Sequence, residues 1–167
     1  YDRAFVDEAG NAVGELGYRA IMLKGTQERP IPSAAEGVDA NKAAWFVDTL
    51  ALDSPFDYDP FWQRCVDLGV AVTQHSGSGR WPDRGSISNF TYNHICNFAA
   101  SNHAFARWVF LGGLVRRYPS LNFGFMEGGV SWACQMCADM IEHWEKRRRA
   151  GLQRLPGRTP QAIALMC

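Results

Sequence analysis

Apolar residues recur along this chain at two spacings, helical in some stretches and continuous over five or six residues in others, and the two alternate. Phe5, Ala9, Ala12, Val13 and Leu16 fall on one face of a helix that Gly17 stops. Tyr18 to Leu23 follows as a short strand ending at Lys24-Gly25. From Thr26 to Asp57 no period holds. That stretch carries Pro30, Pro32 and Pro55, with one short helix predicted near Asn41 to Leu50. Connections of this length in a compact domain are usually functional loops or lids.

Order resumes at Asp59, which is placed to cap a helix with Pro60 at its first position, where the missing N–H costs nothing. Phe61, Trp62, Cys65, Val66 and Leu68 give that helix a buried face, and Gly69 ends it. Val70 to Gln74 is a second strand, delivering His75 to its C-terminal end. Ser76 to Ser88 is a Gly/Ser/Arg-rich loop. A helical region spans Phe90 to Leu111, breaks at Gly112-Gly113, resumes briefly and stops before Pro119. Leu121 to Met126 forms the third strand, followed by Glu127-Gly128-Gly129. A last helix puts Ala133, Cys137, Met140, Ile141 and Trp144 on one face, with Gln135, Asp139, Glu142 and Lys146 opposite.

Strands alternating with helices predict an α/β fold with a parallel sheet. Right-handed crossovers then bring all the strands' C-terminal ends to one side. Lys24, His75 and Glu127 share that rim, which is where α/β folds place their chemistry.

Composition narrows the class. The apolar and charged fractions, 47% and 20%, are those of a globular domain, and 17 basic residues balance 17 acidic ones. No global field draws the chain to nucleic acid or a membrane, so any partner must be recognised by a local site. No apolar run approaches the roughly 18 residues of a transmembrane helix. The first residue is Tyr1, already inside a helical pattern, and the expectation is that the chain is a piece of something longer. Five cysteines (Cys65, Cys96, Cys134, Cys137 and Cys167) form no disulfide framework, and reduced thiols in a cytoplasmic protein are the expectation.

His75 is the foremost candidate. A neutral imidazole at a strand end, followed by Ser76-Gly77-Ser78-Gly79, is placed to hold a metal, although loop histidines more often serve only as hydrogen-bond partners. Glu127, level with it, is a candidate ligand, ligand-orienting group or acid/base; equally, it can anchor the following helix through its dipole. Lys24 is more often a plain rim charge than a metal bridge. His94 is placed to line a pocket with Arg80 and Trp81, whereas His103 and His143 fall at surface positions. Gly77-Ser78-Gly79 resembles a phosphate loop only weakly, since no Lys-Ser/Thr pair follows. Cys134-Gln135-Met136-Cys137 is formally a CxxC, but helical periodicity favours core packing and unreactive thiols.

Several segments, in order, resemble one family. Pro55 to Trp62, then Leu68-Gly69-Val70-Ala71-Val72-Thr73-Gln74-His75-Ser76-Gly77, are similar to the amidohydrolase-related branch of the metal-dependent amidohydrolase superfamily. Leu111 to Leu114, Arg117 to Leu121 and Phe125 to Trp132 agree. That branch includes aminocarboxymuconate-semialdehyde decarboxylase. The resemblance spans Leu16 to Lys146 and implies a (β/α)8 TIM barrel, of which residues 1–150 are the central part with strands four to six, leaving 151–167 as an irregular tail. It implies a divalent metal, zinc, with His75 as the strand-five ligand. The family's strand-one His-x-His is absent here, and its strand-six catalytic histidine is replaced by Glu127.

The implied activity is hydrolysis or non-oxidative decarboxylation (a lyase reaction) of a small carboxylic or aromatic acid derivative. Glu127 would be catalytic, and Ser76, Arg80, Trp81, His94 and Trp132 would contact substrate. The full-length parent is expected to be a homo-oligomer, and the piece alone inactive. A phosphate- or nucleotide-binding module using Ser76 to Arg80 and a non-catalytic partial barrel are the competing readings.

Overall fold

The computed structural model describes residues 3–25, 27–32, 36–37, 39, 44–75 and 81–147. Its elements run α1 (Arg3–Gly14), β1 (Ala20–Leu23), β2 (Gln27–Pro30), β3 (Trp45–Asp48), α2 (Asp59–Asp67), β4 (Ala71–Gln74), a 3-10 turn (Pro82–Arg84), α3 (Phe90–His94), α4 (Asn97–Leu111), α5 (Leu114–Arg117), β5 (Phe123–Phe125) and α6 (Ser131–Arg147). The chain is α/β, with a three-stranded parallel sheet in the order β1-β4-β5. These are the three strands expected from the sequence. No helix among the described residues is long and apolar enough to cross a membrane.

The register aligns Leu23 with Gln74 and Gln74 with Phe125, so the strands end level. Side chains alternate across a strand. Leu23, Val72 and Gln74 are buried on the helix side, where Ile21, Phe123 and Phe125 also pack. The other face carries Ala20, Met22, Thr73 and Gly124, and Met22 is 67% exposed. Among the described residues, helices therefore cover one face of the sheet only. Their core centres on Trp62, whose ring meets Phe61 and Phe123 and whose Nε1 donates to the Leu50 carbonyl. Phe61, Trp62 and Cys65 of α2 are buried as the spacing predicts, and burial pushes the Cys65 thiol up to about 12.

Several local expectations need correction. Residues 45–48 of the predicted short helix form instead a strand, antiparallel to β2; Trp45-Phe46-Val47 has the aromatic and β-branched character that suits a pleated pair. Residues 41–43 lie outside the described ones. The N-cap of α2 is Tyr58 rather than Asp59, and the Asp57 carboxylate accepts from the Asp59 N–H at 2.9 Å. The helix predicted from Phe90 to Leu111 is two, because Cys96 adopts φ 58 and starts α4 on a new line. Leu16 follows the end of α1 and is 66% exposed. Gly17 and Gly69 do close their helices with φ of 72 and 65.

The cysteine expectation also changes. Cys137, half-buried on α6, is disulfide-bonded, while Cys134 is free and exposed. Met136, not Cys134, fills the core position, and the CxxC is neither a closed pair nor a packed one. The disulfide removes the argument for a wholly reduced chain. The 151–167 tail lies outside the described residues.

Candidate functional site

The parallel ladder continues one residue past each strand. The His75 N–H donates to the Leu23 carbonyl at 3.2 Å, and the Met126 N–H to the Gln74 carbonyl at 3.0 Å. Because 23, 74 and 125 face the helices, alternation turns 24, 75 and 126 toward the open face. Glu127 would alternate back under the helices if the strand simply continued. It does not, because Glu127 takes a left-handed conformation with φ 58 and the chain turns there. His75 Nε2 and Glu127 Oε2 stand 3.3 Å apart, with side chains 34% and 58% exposed. The structure thus brings together the two rim residues that the sequence singles out.

An imidazole and a carboxylate at this distance form an ion pair when the imidazole is protonated; when it is neutral, the carboxylate favours the tautomer with its proton on Nε2. The arrangement can orient a ligand histidine, hold a proton, or bind a cation jointly.

Other candidates fall nearby or elsewhere. Phe98 packs on His75 with ring centroids 5.3 Å apart and on His94 at 5.1 Å, so His94 is one ring removed from the rim. His94 also stacks on Phe90 and is exposed. Trp81 is half-buried and opens the 3-10 turn, which packs on α3. The Trp132 indole faces Phe125 at 5.0 Å and donates its N–H to the Gly129 carbonyl at 2.9 Å, so it braces the Glu127 turn. Lys24 pairs with Glu28. His103, expected at the surface, is half-buried, and burial followed by the Arg107 charge lowers its pKa. Ser76 and Arg80, and with them the phosphate-loop reading, lie outside the described residues. Among the described residues no group of three or more His, Cys, Asp or Glu is gathered to hold a metal ion.

Sequence reasoning missed the layer beneath the rim. Gln74, Ser101 and Asn102 are all fully buried. Gln74 Nε2 donates to Ser101 Oγ at 2.7 Å, and Asn102 Nδ2 to the Met126 carbonyl at 3.1 Å. A signal existed: Ser101 and Asn102 interrupt the apolar stripe of Phe98, Phe105 and Val109, and buried polar groups need partners. It missed a second cluster as well. Buried Asp48 accepts from Arg29 Nε at 2.6 Å, Tyr58 OH at 2.5 Å and Ser54 Oγ at 2.7 Å, fastening the β2–β3 pair to the start of α2. Burial alone would raise the Asp48 carboxyl, but these donors outweigh it and hold the group below its ordinary value.

The family described as Amidohydrolase covers residues 1–155. No curated protein matches the chain.

Proposed function

Because the chain belongs to the amidohydrolase family, and so has a hydrolase-type or related enzymatic function, we propose that His75 and Glu127 are the working pair of a metal-assisted site acting on a small carboxylic or aromatic acid derivative. The observation that carries this reading is the 3.3 Å approach of His75 Nε2 and Glu127 Oε2 at the C-terminal rim of a parallel sheet. The sheet corresponds in this reading to strands four to six of a (β/α)8 barrel. Its open face, lined by small residues and Met22, would then be the barrel interior.

The donors fit a divalent ion such as zinc in kind, since imidazole nitrogen and carboxylate oxygen are ligands it takes. They fall short in number, because such a site needs three or four protein ligands and the described residues gather no group of three. When bound, the ion would supply Lewis acidity and lower the pKa of a coordinated water. His75 would contribute Nδ1, because Glu127 favours a proton on Nε2 and so fixes the tautomer. Glu127 would hold or move a proton at Oε2, and its half-exposed carboxylate leaves room for a substrate above it. Trp81 and His94 are proposed to contact substrate with Ser76 and Arg80, while Trp132 supports the turn.

In the intact active enzyme, Glu127→Gln should lower turnover about 10²–10⁴-fold with metal content unchanged. His75→Ala should lose bound metal and activity together, as read by elemental analysis. A Gln variant with normal turnover would return Glu127 to a structural role. Carbon dioxide among the products would mark a decarboxylase, and its absence a hydrolase.

A further inference from the structure

We propose that Asn102 is a positioning residue: through the Met126 carbonyl it holds the left-handed turn on which Glu127 meets His75, an assignment that rests on the reading of Glu127 above. Asn102 lies on α4, fully buried among Phe98, Phe105 and Val109. A primary amide there is unfavourable unless its polar atoms are met. Its Nδ2 meets the Met126 carbonyl at 3.1 Å, on the peptide immediately before Glu127, while its Oδ1 has no hydrogen-bond partner among the described residues.

The turn needs such a hold. Glu127 has φ 58, a conformation that side chains other than those of Gly, Asn and Asp rarely adopt. Residues in such regions persist only where their surroundings over-determine them. The carboxylate's contact with His75 is too exposed to impose the conformation, because a solvated ion pair is worth less than a left-handed residue costs.

The backbone is held instead from three sides. Gln74 accepts from the Met126 N–H, Asn102 donates to the Met126 carbonyl, and Trp132 donates to the Gly129 carbonyl. Contact is close enough that a Cβ on Gly128 would lie 2.2 Å from Asn102 Nδ2 and 3.0 Å from Trp132 Nε1. The neighbouring Ser101 meets the adjacent strand at the side-chain level, its Oγ accepting from Gln74 Nε2 at the end of β4.

The test uses NMR of the full chain, reading the Glu127 backbone coupling that reports φ and the cross-relaxation between the His75 ring and the Glu127 side chain. Asn102→Ala should abolish that cross-relaxation and move Glu127 out of the left-handed region, while the shifts of β1 stay in place. A merely structural role for Asn102 would lower the melting temperature and leave both Glu127 signals intact, and that result overturns the proposal. Should Asn102→Ala fail to fold, Gly128→Ala presses on the same amide from the other side and must displace Glu127. An unmoved Glu127 in Gly128→Ala likewise overturns it. The two readings separate cleanly. Normal turnover in Glu127→Gln removes the catalytic role and leaves the turn's dependence on Asn102 standing, whereas an undisturbed turn in the Asn102 variant removes the positioning role alone.

Discussion

Glu127 bears backbone strain at the position where its carboxylate meets His75. A left-handed L-residue costs roughly 1–2 kcal/mol, a cost glycine escapes. Glu127→Gly is therefore expected to raise stability by about 1 kcal/mol in urea denaturation while removing the carboxylate. A loss of stability would mean that the contact with His75, not the buried clamp, maintains the turn. His75 was legible in the sequence because a strand end followed by small residues is a local pattern. The approach of Glu127 was not, since strict alternation from Phe125 would have sent it to the helix side. A single left-handed φ reversed that, and nothing in Phe-Met-Glu-Gly-Gly specifies which residue takes it.

At the scale of elements, the β2–β3 pair is fastened to α2 by Arg29, Asp48, Ser54 and Tyr58. Tyr58→Phe deletes a hydroxyl that donates to Asp48 and accepts from Arg29. It should cost about 2 kcal/mol, because a buried carboxylate loses a donor. Equilibrium unfolding measures this, and a change under about 0.5 kcal/mol would mean water replaces the hydroxyl. The cluster also sets a pH window. Asp48 has its folded pKa depressed, so its contribution is full above the ordinary value of 3.8 and fades as pH falls through the lower folded value. Tyr58 is pushed up to about 12 by burial and then by Asp48, so its contribution is full below its ordinary 10.0 and is lost as pH rises toward 12. Thermal melts across pH should show a plateau between these limits, and Asp48→Asn should flatten its acid edge. The strap escaped sequence reading because Arg29 and Asp48 lie 19 residues apart in a stretch without period.

At the scale of the whole molecule, the dominant feature among the described residues is a sheet that helices cover on one face. Met22 at 67% and Met126 at 44% exposure lie on its open face, and β1 and β5 are its edges. Unpaired edges beside an apolar face invite association. Sedimentation velocity on this chain should show concentration-dependent self-association, and Met22→Lys should shift it toward monomer. A monomer at all concentrations would show that the open face is compatible with water by itself.

The sequence by itself determined the alternation of strands and helices, the helix-ending glycines and the sharing of one rim by Lys24, His75 and Glu127. Each follows from local periodicity and from the handedness of parallel crossovers, and neither needs knowledge of distant contacts. Tertiary structure alone decided that Lys24 turns to Glu28, that Glu127 reaches His75, that Asn102 holds the turn between them and that residues 45–48 pair as a strand. It also separated Cys134 from Cys137, leaving one free at the surface and the other bridged. These outcomes depend on partners many residues away and on single backbone angles. Burial favours such partners for the Asp48 carboxylate and the Asn102 Nδ2, but no local pattern names them in advance.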